Sequence, residues 1–225
     1  MPGDFCISGM IVATLAFWCF ALLHSTLVSL RFQSWVEGRV GKLLMLAFYR
    51  LGFTIINGIA LAALGLVILN TPDGNLYSAS GALYWALRSI QVLGLVLLLL
   101  SARRMDLLEF VGLRQAYHLL AGREVSEDAY PFRRGPFETS GVYRLVRHPQ
   151  YLAILLIMWP TPIMSLTYFI LALNVTLYFW VGSYLEERRL VAQFGQQYTH
   201  YRRGVPRLLP WRWLWALVPR AFSTR

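Results

Sequence analysis

Charge of either sign is scarce in this chain of 225 residues, and lysine is almost absent. Only 14% of the residues are charged and Lys42 is the only lysine, while apolar residues make up 57%. Soluble domains carry about 25% charged residues. The composition therefore excludes an ordinary soluble domain, and it indicates an integral membrane protein whose helices cross the bilayer in spans of about 20 residues.

Cysteine is also scarce, which excludes a disulfide framework. Cys6 and Cys19 are the only cysteines, and they lie too far apart along one predicted helix to form a disulfide. We interpret both as small apolar residues. No basic residue precedes the first apolar run, so that run is predicted to be a retained membrane span and not a cleaved signal peptide.

The net charge of +10 comes almost entirely from arginine. These arginines are dispersed between apolar segments, which favours membrane topology and contact with anionic lipid headgroups over nucleic-acid binding. We therefore expect membrane lipids as partners and no nucleic acid. No obligate protein partner is indicated.

Three apolar segments of the first half are long enough to cross a bilayer, from about Ser8 to Leu30, Leu46 to Leu69 and Leu83 to Ser101. The segment from Asn70 to Asn75 is typical of a turn, because its proline and glycine stop a helix. The only long hydrophilic region runs from Arg103 to His148, and its mixed charges and aromatic residues predict an ordered cytoplasmic segment.

A fourth apolar run, from Pro149 to about Leu185, is too long for one span and is divided by Trp159-Pro160-Thr161-Pro162. Because prolines remove backbone donors and clash with the preceding turn, two helices joined by a tight bend are predicted. The tail that follows alternates tryptophan with arginine and leucine from Trp211 to Trp215, which suits the headgroup layer.

Basic residues define the orientation of these spans. They occupy the connections after the first and third spans and the tail beyond Leu185, whereas residues 1–7, residues 70–82 and the hairpin bend have none. The positive-inside rule therefore predicts an all-α polytopic bundle of about five transmembrane helices, with the N-terminus outside and the C-terminus inside. We expect it in a bacterial inner membrane. Within one domain, residues 1–102 form three spans, 103–148 a cytoplasmic connection, and 149–225 the hairpin and tail.

Two polar motifs flank the predicted hairpin, Arg147-His148-Pro149-Gln150-Tyr151 at its start and Glu186-Glu187 at its end. Antiparallel helices bring these ends together on the cytoplasmic side. Pro149 suits a first helical turn, whose exposed N–H groups can hold a carboxylate. The glutamates offer acceptors for an amine or for ribose hydroxyls. The alternative interpretation is that these charges only pair with each other and anchor the helix ends.

These motifs resemble a known family. The pattern Gly141-x-Tyr143-x-x-Val146-Arg147-His148-Pro149-x-Tyr151, the hairpin, Glu186-Glu187, and then Phe194-Gly195-x-x-Tyr198-x-x-Tyr201 is similar to the membrane methyltransferases related to isoprenylcysteine carboxyl methyltransferase and the phospholipid methyltransferases. Within that superfamily the chain most resembles the methanethiol S-methyltransferases and NnrU-like proteins, through His24-Ser25 and the segment 110–115. It departs from many members at Ala153, where they have glycine.

The resemblance implies S-adenosyl-L-methionine as cofactor, a methyl acceptor that arrives from the membrane, and no metal. Arg147 and Glu187 are the expected catalytic residues, and Tyr143, Tyr151, Tyr198 or Tyr201 could stack on the adenine base. The expected cofactor-binding residues are Gly141, Tyr143, Val146, Arg147, His148, Pro149, Tyr151, Glu186, Glu187 and Tyr198.

His24 and Arg50 are the expected substrate residues. An ionisable side chain inside a span is by default a functional hypothesis, although His24 could instead form only an interhelical hydrogen bond. A thiol reacts as its thiolate, which an arginine favours. The acceptor could also be a prenylcysteine carboxylate or a phospholipid headgroup. A third possibility, of another class, is an NnrU-like haem protein that uses His24, His118, His148 or His200.

Overall fold

The computed structural model describes residues 2–71, 73–103, 105–126 and 139–211, and most of them are helical. Eight α-helices, two short strands and one 3-10 helix follow one another within these ranges. In chain order they are α1 (Pro2–Val28), α2 (Leu30–Val40), α3 (Lys42–Leu69), β1 (Asn75–Ser78), α4 (Gly81–Ala102), α5 (Leu107–Val111), α6 (Leu113–Leu120), a 3-10 helix (Gly141–Arg144), α7 (Pro149–Met158), β2 (Ile163–Ser165) and α8 (Leu166–Gly204).

Four helices in the described part of the chain are long and apolar enough to cross a membrane, namely α1, α3, α4 and α8. The first three correspond to the spans predicted from Ser8, Leu46 and Leu83, and these predictions are confirmed. Most of the observed helix ends lie within a few residues of the predicted ends. Most of their exposed large side chains are apolar, which suits contact with lipid. The chain is therefore a multi-pass membrane protein. The predicted headgroup residues Trp213 and Trp215 lie outside the described residues.

The proline-containing bend divides the fourth apolar run as predicted. α7 ends at Met158, and α8 begins at Leu166 after strand β2, which pairs with β1 in a two-stranded sheet. With its 10 residues, α7 is about 15 Å long, half of the hydrocarbon core of about 30 Å. It is therefore too short to cross the bilayer by itself. The bundle accordingly has four long helices and one short apolar helix where five spans were predicted.

The contacts between residues divide the chain into two compact units. The first unit contains residues 1–76, 104–136 and 165–174. Within it α1 packs on α3, and the Tyr49 hydroxyl donates a hydrogen bond of 2.6 Å to the Leu27 carbonyl. The Trp18 indole donates to the Asn174 side chain over 2.8 Å. These hydrogen bonds satisfy polar groups for which the lipid chains of a bilayer offer no partner.

Asp73 fixes the beginning of α8 within the same unit. Its Oδ1 atom accepts hydrogen bonds from the backbone N–H groups of Gly74, at 2.8 Å, and Thr167, at 3.0 Å. Partial burial acts to raise the pKa of Asp73, but hydrogen bonds from Ser165, Thr167 and Gly74 outweigh it and hold that pKa below its ordinary value. A carboxylate thus caps the helix from a distant loop.

Replacing Asp73 with alanine is expected to destabilise the fold by about 0.5–1 kcal/mol at pH 7, because the carboxylate is exposed and solvent screens the cap. The stabilisation is fully present above the unfolded-state pKa, about 3.9, and is lost as pH falls through the lowered folded-state pKa. Thermal unfolding in detergent at several pH values, with Asn75→Ala as control, measures it. A wild-type advantage that persists unchanged through the acid range would contradict this account.

The second unit contains residues 77–103, 137–164 and 175–225. Within it α4 packs on α7, and Gly94 allows the close approach. A Cβ atom on Gly94 would lie 2.9 Å from the Ala153 carbonyl oxygen and 3.0 Å from Leu156 Cβ. The Gln91 side chain donates to the Ile157 carbonyl over 2.7 Å, near the end of α7. Ala153 is fully buried, and its backbone carbonyl lies at this contact.

Candidate active site

The candidate site is built around the beginning of α7, in the second unit. The 3-10 helix precedes it, and Gly141 opens that helix with a φ of 56°, in the left-handed region that favours glycine. Pro149 occupies the first turn of α7, as predicted. A proline there fits because its missing N–H would have no helical partner anyway. The Val146 side chain is fully buried and anchors the segment.

The chain after α8 returns to this helix start. At Gly195 the backbone leaves helical geometry, with φ 54° and ψ −125°, so the last part of α8 takes a new direction. The Arg147 backbone N–H then donates to the Pro206 carbonyl over 2.9 Å, and that of His148 donates to Arg207 over 3.2 Å. Residues 205–207 are thereby held against the entry to α7.

One carboxylate oxygen contacts two guanidinium groups and one imidazole ring. Oε1 of Glu187 lies 3.0 Å from an Arg147 guanidinium nitrogen, 3.3 Å from His148 Nε2 and 3.5 Å from Arg207 Nε. Glu187 is only 6% exposed. A buried carboxylate needs such partners, because removal from water otherwise disfavours its charged form.

The second glutamate engages the other side of the imidazole ring. Oε2 of Glu186 lies 3.4 Å from His148 Nδ1 and accepts a hydrogen bond of 2.9 Å from the Tyr151 hydroxyl. Both ring nitrogens of His148 therefore face carboxylate oxygens. This arrangement suits the imidazolium form, which donates at both nitrogens.

Three aromatic rings stack beside these charges. The rings of His148 and Tyr151 are 5.3 Å apart at 8°, and those of Tyr151 and Phe179 are 4.6 Å apart at 7°. The Arg207 guanidinium lies over Trp180, 5.5 Å from the ring centre. The sequence interpretation missed Phe179 and Arg207. Phe179 could have been found from helical spacing, since it lies seven residues before Glu186 and so on the same face of α8.

Arg147 makes further contacts that orient its guanidinium group. One terminal nitrogen donates to the Arg202 carbonyl over 3.1 Å, and the other pairs with Glu187. Its Nε atom is buried and has no hydrogen-bond partner among the described residues. The tyrosines predicted to stack lie close by. The Tyr201 hydroxyl donates to the Tyr143 carbonyl over 2.6 Å, and Tyr198 is almost fully buried.

Most of the predicted cofactor residues are thus brought together. Arg147, His148, Tyr151, Glu186 and Glu187 lie in direct contact, as the hairpin argument predicted. Their cations and carboxylates already pair with each other, as the anchoring interpretation also predicted. The arrangement offers a guanidinium, a helix N-terminus and two carboxylates to one ligand. Such a set can hold a molecule that carries both a carboxylate and an ammonium group.

The predicted substrate residues belong to the first unit. His24 Nδ1 lies 3.0 Å from Asn57 Oδ1, and its ring packs against Phe20 and Phe53 at 6.0 and 5.4 Å. The expected interhelical hydrogen bond is therefore present, with Asn57 as its partner. Arg50 donates from a terminal nitrogen to the Glu109 carbonyl over 3.3 Å. Whether either residue binds substrate stays a prediction.

Comparison with known proteins agrees with these observations. The family model described as phospholipid methyltransferase matches residues 127–197. The methanethiol S-methyltransferase 2 of Bradyrhizobium diazoefficiens is 33% identical over 206 residues, which cover 92% of this chain and 71% of that protein.

Two further relatives extend the comparison. The methanethiol S-methyltransferase of Crocosphaera subtropica is 31% identical over 198 residues, or 85% of this chain and 71% of that protein. A nurim homolog of Drosophila pseudoobscura pseudoobscura is 27% identical over 117 residues, or 52% of this chain and 44% of that protein. No solved structure matches. The chain belongs to the methanethiol S-methyltransferase family of membrane methyltransferases, enzymes that take a methyl group from a donor molecule.

Proposed function

We propose that this protein transfers a methyl group from S-adenosyl-L-methionine to a small thiol. The observation that carries the proposal is the cluster of Arg147, His148, Glu186 and Glu187 at the beginning of α7. The cluster supplies a guanidinium group for the carboxylate of the cofactor's methionine portion and carboxylates for its ammonium group. The names of the relatives from Bradyrhizobium and Crocosphaera support methanethiol as the acceptor.

The residues present fit this cofactor. The buried Arg147 Nε–H, which lacks a partner in the described part of the chain, could donate to the carboxylate of the methionine portion. Glu186 and Glu187 could accept from the ammonium group or the ribose hydroxyls. Arg147 and Glu187 are the residues we expect to matter most for the reaction.

The cofactor supplies a methyl group on a sulfonium sulfur. One carbon–sulfur bond breaks and another forms, so that a thiol and the sulfonium donor become a methyl thioether, a neutral thioether product and one proton. The protein has no covalent intermediate to form, and alignment and exclusion of water account for the catalysis. An arginine beside the acceptor favours its thiolate, the reacting form. We propose that the acceptor enters from the surrounding lipid.

A panel of acceptors tests this function directly. Purified protein with labelled S-adenosylmethionine should methylate methanethiol, with a rate well above that for phosphatidylethanolamine or a prenylcysteine. Phosphatidylethanolamine is included because the matching family model is that of phospholipid methyltransferases, and a prenylcysteine because the motifs also resemble isoprenylcysteine carboxyl methyltransferase. If labelled phospholipid is the main product, the methyl acceptor is a lipid and the proposal of a thiol acceptor is wrong.

A haem-binding function is tested on the same preparation. His148 already has a carboxylate oxygen near each ring nitrogen, which favours the methyltransferase function over axial ligation by this residue. The visible spectrum should lack a Soret band. A stoichiometric Soret band together with no methyl transfer would favour the haem protein instead.

A further inference from the structure

Arg207 lies beside the charged cluster at the beginning of α7 but comes from the chain beyond α8. Its Nε atom is 3.5 Å from Oε1 of Glu187. Its guanidinium also lies over two aromatic rings of α8, 5.5 Å from the ring centre of Trp180 and 5.8 Å from that of Tyr184. Within the described residues, the structure shows no other carboxylate partner for this side chain. The ion pairing of Arg207 is therefore directed to Glu187.

The three partners of the Arg207 guanidinium share one face of α8. Trp180, Tyr184 and Glu187 are separated by four and then three positions in the sequence, which is the spacing of side chains that follow one another along one helix face. A guanidinium above aromatic rings is attracted by their π electrons. The two rings thus hold the guanidinium on the same face of the helix as the Glu187 carboxylate.

The backbone of Arg207 is fixed independently of its side chain. Its carbonyl oxygen accepts a hydrogen bond of 3.2 Å from the His148 N–H group. Pro206 and Leu208 on either side are both buried, and the Pro206 carbonyl accepts from the Arg147 N–H group over 2.9 Å. None of these contacts uses the Arg207 guanidinium. A substitution of this side chain can therefore test a role in ligand binding while the chain stays attached to the beginning of α7.

Arg147 and Glu187 are the pair that suits an amino-acid portion. The carboxylate and ammonium groups of such a ligand are carried by one carbon atom, so their partners must be neighbours, and Arg147 lies 3.0 Å from Glu187. When Arg147 binds the ligand carboxylate, its charge is shared between two anions. Glu187 is only 6% exposed, and a buried carboxylate that loses part of its compensation is unfavourable. A second cation that makes no bond to the ligand carboxylate offsets this loss.

We propose that Arg207 is a positioning residue, which keeps the Glu187 carboxylate charged and in place while Arg147 binds the carboxylate of the methyl donor. This inference rests on the proposed function. It assigns the ammonium group of the donor to Glu187 and adds a residue that the motifs at the two ends of the hairpin do not include. Because Arg207 acts through Glu187, its effect is confined to ligands that carry the amino-acid portion.

Replacing Arg207 with glutamine tests the proposal, because glutamine removes the charge and keeps a polar side chain. The affinity for S-adenosylhomocysteine is expected to fall about fivefold, a limited loss because the guanidinium is partly exposed and screened by solvent. Methylthioadenosine lacks the amino-acid portion, so its affinity should be the same in the variant and in the wild-type protein. Arg207→Lys restores a cation and should recover most of the lost affinity. Isothermal titration of the purified proteins measures both ligands.

Arg189→Gln is the matched control, because Arg189 is an exposed arginine of α8 two positions beyond Glu187. That variant should bind both ligands as the wild-type protein does. Equal losses of both ligands in Arg207→Gln would mean that Arg207 only supports the fold, and an unchanged affinity for S-adenosylhomocysteine would mean that Glu187 does not need it. Either result overturns the proposal, as does a lysine variant that recovers nothing. If the wild-type protein binds no S-adenosylhomocysteine, the proposed function itself has failed, and that result is distinct from the others.

Discussion

Replacing Glu187 with alanine is expected to lower the affinity for S-adenosylhomocysteine by 100-fold or more and to remove methyl transfer. The carboxylate pairs with the guanidinium groups of Arg147 and Arg207 and contacts the His148 imidazole, all through a single oxygen. Loss of a buried, hydrogen-bonded partner of a ligand charge weakens binding by about 2–5 kcal/mol, and about 1.4 kcal/mol corresponds to a tenfold change in affinity. Isothermal titration of purified protein measures the loss.

The same substitution also lowers stability, so a second variant separates the two effects. Glu187→Gln keeps the shape of the side chain and one acceptor oxygen, and it should fold better than the alanine variant while still binding the ligand weakly. Arg188→Ala is the control, since Arg188 is the next residue of α8 and is exposed. Affinity that survives in a folded Glu187→Ala protein would remove Glu187 from the candidate site.

Substituting leucine for Gly94 is expected to destabilise the protein by about 3 kcal/mol and to reduce ligand affinity as well. The Ala153 carbonyl oxygen lies 2.9 Å from the place of a new Cβ atom, so α7 must move away from α4. Overpacking of a close contact costs about 1–3 kcal/mol, and a backbone neighbour cannot rotate away as a side chain can. Because α7 begins at Pro149, its displacement also moves Arg147 and His148.

Gly65→Leu provides the matched control for this experiment. Gly65 is also a glycine inside a spanning helix, and a Cβ atom added to it would meet no atom within 4 Å beyond its own stretch of helix. Thermal unfolding and S-adenosylhomocysteine binding should be nearly unchanged in that variant. Equal effects of the two leucine substitutions would show that lipid exposure, and not the contact between α4 and α7, determines the loss.

Local patterns predicted the parts of this protein that depend on short stretches of sequence. The apolar runs indicated the three early spans, the proline pair indicated the division between α7 and α8, and the hairpin brought Glu186 and Glu187 to His148. These features follow from backbone chemistry and helix geometry alone. The length of α7 was not predictable in the same way, because a strand replaces the helical turns expected near the bend.

The contacts that the sequence did not predict depend on two glycines, Gly195 and Gly112, whose conformations are set by tertiary structure. Gly195 changes the direction of α8 and so brings Arg207 to Glu187. Gly112 seats the turn between α5 and α6 on α3 and so brings Gln115 to the same carbonyl as Arg50. A glycine in the sequence permits such a backbone but does not specify its partner. Side chains that meet only through these turns therefore escape pattern analysis.

The return of residues 205–207 to the beginning of α7 has a consequence for the order of folding during synthesis. The backbone groups of Arg147 and His148 obtain their acceptors from Pro206 and Arg207, which leave the ribosome more than fifty residues later. A nascent chain that ends after Gly204 contains all four long helices but none of these closing bonds. The charged cluster can therefore be completed only after the four long helices have been synthesised, once the chain extends past Arg207.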